Sequence, residues 1–82
     1  MAKPHPYSKN VTDVTISTTT TSGSTTAGAL AVTVYNRGTS AGTLAGASLS
    51  AGEGWVFEDN GPYAAIAYDA TGTTFEITEE VE

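Results

Sequence analysis

From Leu30 to Ile77 apolar and polar residues alternate in short runs, and glycines cut the runs apart. Strict alternation is the period of a half-buried strand, because successive side chains of an extended chain point to opposite faces. The clearest run is Ala29 to Tyr35, with Leu30, Val32 and Val34 on one face and Ala31, Thr33 and Tyr35 on the other. Upstream, the segment from Val11 to Ile16 predicts a short strand with Val14 and Ile16 inward. Downstream, Thr43-Leu44 and Ser48-Leu49 predict two very short strands among Gly42, Gly46, Gly52 and Gly54. A helix is excluded there, since each interior glycine costs about 1 kcal/mol relative to alanine. Trp55 to Glu58 sets Trp55 and Phe57 together, Tyr63 to Tyr68 sets Ala64, Ile66 and Tyr68 together, and Thr73 to Thr78 turns Phe75 and Ile77 inward.

Turn chemistry separates these runs. Asn36-Arg37-Gly38 contains two residues that tolerate positive φ. Asp59-Asn60-Gly61-Pro62 is the strongest turn signal in the chain, and Asp69-Ala70-Thr71-Gly72 is the next. From Ser17 to Thr26 every residue except Gly23 is serine or threonine. Such a run has strand propensity but no apolar face to set a register, so it reads as a loop or as an edge hairpin turning near Ser22-Gly23. The expected fold is all-β, a small antiparallel β-sandwich or barrel of about seven short strands. Residues 1–10, with Pro4 and Pro6, read as an extended N-terminal arm ahead of a β-domain spanning residues 11–82. The stretch Glu76–Glu82 reads as a solvated end.

Size then limits what this fold can bury. Eighty-two residues make one domain. The inward positions are Val14, Ile16, Leu30, Val32, Val34, Leu44, Leu49, Trp55, Phe57, Ile66, Tyr68, Phe75 and Ile77, a thin core. A core of that size rarely supplies more than about 3–5 kcal/mol net. The chain has no cysteine, so neither disulfides nor a zinc-finger site reinforces it. Oligomerisation, or docking on a larger assembly, is the expected additional source of stability.

Charge is divided unevenly. Lys3 and Lys9 lie in the first ten residues with His5 between them, while the remainder holds nine carboxylates against Arg37, for a net charge of −6. An acidic body repels phosphate backbones, so nucleic acid is not an expected partner. Neither an apolar leader nor a run long enough to span a bilayer is present in the sequence, which predicts synthesis in a cytosol and no membrane partner. Asn10-Val11-Thr12 matches a glycosylation sequon and reads as a chance match.

Candidate chemistry is sparse. His5 is the only histidine, and it sits between two prolines. No base is placed to activate any of the hydroxyls, so the chain is read as a non-enzyme with no cofactor. Glu58-Asp59-Asn60-Gly61 and Asp69-Ala70-Thr71-Gly72 set carboxylates beside glycine, but neither matches a calcium loop, and turns account for both. Asp59 and Asp69 are the carboxylate pair an enzyme reading would need. Trp55 and Tyr68 fall on the inward phase, whereas Tyr35 and Tyr63 fall on the opposite one and are the candidates for exposed contacts.

Three stretches carry a resemblance: Ala-Gly-Ala-Leu-Ala-Val-Thr-Val-Tyr-Asn-Arg-Gly at 27–38, Gly-Thr-Leu-Ala-Gly-Ala-Ser-Leu-Ser-Ala-Gly-Glu at 42–53, and Ala-Ile-Ala-Tyr-Asp-Ala-Thr-Gly-Thr-Thr-Phe-Glu-Ile at 65–77. In turns and alternation the chain resembles the small all-β virion proteins of tailed bacteriophages. The resemblance implies a capsid decoration or accessory protein located in the virion, bound to other capsid or tail subunits and often trimeric. It also implies an N-terminal arm that grips a neighbour, formed here by Lys3, Pro4, His5, Pro6, Tyr7 and Lys9, with Tyr35 and Tyr63 as further contacts. A carbohydrate-binding or adhesin-like module on a fibre or tail, using Tyr35, Tyr63 or Trp55, is the alternative.

Overall fold

The computed structural model describes residues 13–59 and 61–81. Every regular element among them is a strand: β1 (Asp13–Thr19), β2 (Ser22–Ser24), β3 (Ala31–Asn36), β4 (Gly42–Leu44), β5 (Ala47–Leu49), β6 (Gly54–Phe57), β7 (Ala67–Asp69) and β8 (Phe75–Val81). Eight strands replace the expected seven or so because the serine and threonine run is divided between two of them. Ser17, Thr18 and Thr19 complete β1, the chain bends at Thr20-Thr21, and Ser22–Ser24 form β2. The run is not a hairpin, since β1 pairs with β8 and β2 pairs with β7 in a different sheet.

The strands form two four-stranded antiparallel sheets, ordered β1-β8-β3-β6 and β2-β7-β4-β5. The chain changes sheet at every step except β4 to β5, which are joined by a tight hairpin. Its two turn residues, Ala45 and Gly46, both have positive φ, 51° and 83°. Two successive left-handed residues give the twist that matches the flanking strands, but the first of them carries a Cβ here. Ala45→Asn is expected to stabilise the domain by about 0.5 kcal/mol, since asparagine tolerates this conformation better than alanine. The check is a small rise in Tm without change in the circular dichroism spectrum.

Both sheets line one core. Val32, Val34, Phe75 and Ile77 come from the first, Leu44 and Leu49 from the second, and Ala29 and Ala70 from the connections. Trp55, Phe57, Ile66 and Tyr68 pack against it as their phase predicts, joined by Val81. Val14 and Ile16 do not: they are 47% and 64% exposed. The register explains the reversal. Ser17 stands opposite Ile77 and Thr19 opposite Phe75, so Thr15, Ser17 and Thr19 share the inner face and Val14 and Ile16 point away; β1 lies at the sheet edge, where even on the inner face only Thr19 is half-buried. Leu30 is half-buried just ahead of β3, with its N–H donating to the Glu80 carbonyl at 2.7 Å.

A further expectation gives way. The acidic stretch after Phe75 is not a solvated end, since β8 carries it through the interior of the first sheet between β1 and β3. Glu80 is buried, and Glu79 accepts from the Thr26 N–H at 2.6 Å and the Thr26 hydroxyl at 2.8 Å. The turn expected at Asn36-Arg37-Gly38 is present, although neither Asn36 nor Gly38 takes positive φ, and Asn36 does more than start it. It ends β3 fully buried, and its amide Nδ2 donates to the carbonyls of Ser40 at 2.8 Å and Leu49 at 3.0 Å. Its Oδ1 accepts from the Gly38 N–H at 2.9 Å and the Thr73 hydroxyl at 2.8 Å. Of the run from Tyr63 to Tyr68, only Ala67 and Tyr68 join a strand, β7, and Ala64 is exposed. The turn at Asp69 to Gly72 is as expected, with Gly72 at φ 85°. In the turn at Asp59 to Pro62, Asn60 lies outside the described residues.

Candidate interaction surface

The first sheet has two unlike faces, and the register sorts every residue onto one of them. Directly opposite residues of antiparallel strands share a face. Inner rows therefore read Thr15–Glu79–Val32–Phe57, Ser17–Ile77–Val34–Trp55 and Thr19–Phe75–Asn36. Outer rows read Val14–Glu80–Ala31, Ile16–Thr78–Thr33–Val56 and Thr18–Glu76–Tyr35–Gly54.

All four large exposed apolar residues among those described, Val14, Ile16, Tyr35 and Val56, fall on the outer rows. They flank β8, which contributes Glu76 and Thr78 between them, while Glu80 and Ala31, in the row of Val14, are buried. With strands about 4.8 Å apart and alternate residues about 6.8 Å apart, the three rows span roughly 14 Å in each direction. Tyr35 and Gly54 are a matched pair: a Cβ added at Gly54 would come 3.2 Å from the Tyr35 ring, so the glycine leaves room for the tyrosine to lie over β6. Arg37 reaches Glu76 at 3.5 Å, an exposed ion pair that contributes little to stability. The face is thus apolar at both margins, with Glu76 as the accessible carboxylate of its middle strand.

The other predicted contact residues are placed differently. Tyr63 is half-buried, its ring edge-on to Phe57 at 5.9 Å, and its backbone bridges to Ala29. Trp55 lies on the inner face, opposite in direction to Tyr35, so these three aromatics share no platform for a sugar ring. Lys3, Pro4, His5, Pro6, Tyr7 and Lys9 lie outside the described residues. Asp69 receives the Thr71 hydroxyl and N–H, which hold its carboxyl below the usual carboxylate range, and it caps an exposed turn. Among the described residues no group of three histidine, cysteine, aspartate or glutamate side chains is placed to hold a metal ion. Sequence phase marked Tyr35 as a contact residue, whereas Val14, Ile16 and Val56 emerge only once β8 and β3 fix which face is covered.

Comparison with protein-family models, curated proteins and solved structures yields no match to this chain.

Proposed function

We propose that the protein is a structural virion protein of a tailed bacteriophage, a capsid decoration or accessory protein that adheres to other virion subunits. The two sheets, which share a single core, are read as the faces of a β-sandwich. The observation that carries the adhesive role is the outer face of the first sheet, where Val14, Ile16, Tyr35 and Val56 gather. Scattered singly, exposed apolar residues need no explanation; gathered on one face of a small sheet they mark a contact surface. The virion assignment is supported by the resemblance of residues 27–38, 42–53 and 65–77. The reading assigns no catalytic group, cofactor or metal, and it excludes nucleic acid as a partner because the body is acidic.

A partner for this face has apolar side chains at its margins and cations opposite Glu76. The segment of residues 1–10, with Lys3, Tyr7 and Lys9, has the same chemistry and is assigned to grip a neighbouring subunit. Cosedimentation with purified particles of the encoding phage tests both surfaces. The intact chain is expected to sediment with the particles. Val56→Glu is expected to weaken attachment about tenfold or more, a loss of about 1.4 kcal/mol or more, by burying a carboxylate in the contact. Removal of residues 1–10 is expected to abolish attachment and leave the β-sheet spectrum unchanged. An intact chain that stays in the supernatant with every particle fraction overturns the proposal.

A further inference from the structure

We propose that β1 pairs edge to edge with β1 of a second copy of this chain, antiparallel about a two-fold axis through Ile16. The two first sheets, each of four strands, then become one continuous sheet. The inference goes beyond the virion reading and does not depend on it.

The edge itself dictates the kind of partner. In an edge strand, alternate backbone N–H and C=O groups point away from the sheet and template another strand. β1 is such a strand, and among the described residues only β8 pairs with it. Proteins usually blunt a long edge with lysine, proline or a bulge. Asp13–Thr19 contains no lysine, proline or glycine, and five of its seven residues are β-branched. The other edges are poorer templates: β2 and β5 have three residues each, and β6 has four.

Symmetry and length then fix the register. An antiparallel pair of identical strands is isologous, so each contact occurs twice. Keeping outer residues opposite outer residues allows the axis to pass only through a residue of β1. Centring it on Ile16 is the one choice that pairs all seven residues, Asp13 with Thr19 at each end. Shifting the axis to Thr15 or Ser17 leaves five paired. In the full register Ile16 faces its own copy, Val14 faces Thr18, and Thr15 faces Ser17. Asp13 is the strand's only charge. Its two copies end up about 20 Å apart, at opposite ends of the pair, so no like charges meet. Val14 and Ile16, exposed in the single chain, join across the axis into one apolar strip, which accounts for β-branched apolar residues on the uncovered face of an edge strand.

The chain has no cysteine, so a single introduced thiol reports this contact. Opposite Cα atoms in an antiparallel pair lie about 4.5 or 5.5 Å apart, within the range a disulfide spans. Under mild oxidation Ile16→Cys is expected to form a covalent dimer at least about tenfold faster than Val56→Cys, because docked thiols meet at a millimolar effective concentration. Val56 is the fitting control, 58% exposed against 64% for Ile16 and on the same outer face, but on the opposite edge strand. Light scattering of the unaltered chain is expected to give twice its 8.4 kDa mass. Ile16→Lys is expected to give a monomer with an unchanged β-sheet spectrum. Equal cross-linking rates, or an unaltered chain that is monomeric or trimeric at about 100 μM, where a specific dimer of micromolar Kd is formed, overturn the inference. Particle attachment without dimers leaves the virion reading standing and removes this one; dimers without attachment do the reverse.

Discussion

Asn36→Ala is expected to lower stability by about 3 kcal/mol or more, because four buried or half-buried groups lose their partner in one substitution. Each unsatisfied buried group costs about 1–3 kcal/mol, and groups that share one partner do not add. The amide joins parts of the chain that have no other reason to meet: the segment after β3 through Gly38 and Ser40, the end of β5 through Leu49, and the β7–β8 connection through Thr73. Its backbone extends the same junction, receiving the Gly52 N–H and donating to the Glu53 carbonyl, each at 2.8 Å. A domain of this size has about 4–12 kcal/mol in all, so the variant is expected to lose a large share of its stability. The corresponding fall in Tm is about 12–24 °C. Asn36→Leu, which restores volume without the amide, separates bonding from packing and is expected to be no better. Thr73→Val removes one partner and is expected to cost about 1 kcal/mol. Thermal and urea unfolding followed by circular dichroism check the series, and an Asn36→Leu chain as stable as the parent would refute the bonding account.

Asn36 also shows where sequence reading meets its limit. Asparagine before Arg-Gly carries the local signature of a turn, and whether its amide is solvated or saturated by distant carbonyls depends on Leu49 and Thr73, far along the chain. Alternation fared better where apolar residues occupy one phase next to a covered neighbour: Val32 and Val34, and Phe75 and Ile77, point inward as their period requires. On β1 the same period found the correct two faces and the wrong burial. Val14 and Ile16 do share a face, but pairing with β8 commits Ser17 and Thr19 to the side of Ile77 and Phe75. Glutamates misdirected the reading of β8 in a similar way, since charge at Glu76, Glu79 and Glu80 suggested a solvated end to a strand that runs through the middle of a sheet. The all-β class was legible because turns and alternation are local. Sheet membership was not, because Ser22–Ser24 has no apolar side chain to declare which sheet it joins. The exposed apolar face was half-legible for the same reason: phase exposed Tyr35, while Val14, Ile16 and Val56 needed the rows that cross four strands.

Phe75→Ala is expected to be the most damaging substitution in the core, at about 3–5 kcal/mol. Phe75 is the largest fully buried side chain, and its ring reaches from one sheet to the other. It projects from β8 in the first sheet, its ring 6.3 Å from that of Tyr68 on β7, while the end of the ring reaches the backbone of β4 at Gly42. A Cβ at Gly42 would come 2.5 Å from Phe75 Cζ and 2.7 Å from the Asp69 carbonyl oxygen, so glycine there is required by close approach. Gly42→Ala alone is therefore expected to cost about 1–3 kcal/mol by overpacking. In the Phe75→Ala background the ring is gone, the added methyl faces the vacated space, and only the carbonyl contact resists it. The second substitution should then cost about 1 kcal/mol less than it does in the parent, a coupling of the size found between residues in contact. A cycle of four urea-unfolding curves measures that difference. Full additivity would mean that the ring and the glycine do not meet, and that the first sheet, with its exposed apolar residues on the far side, is held to the second by other means.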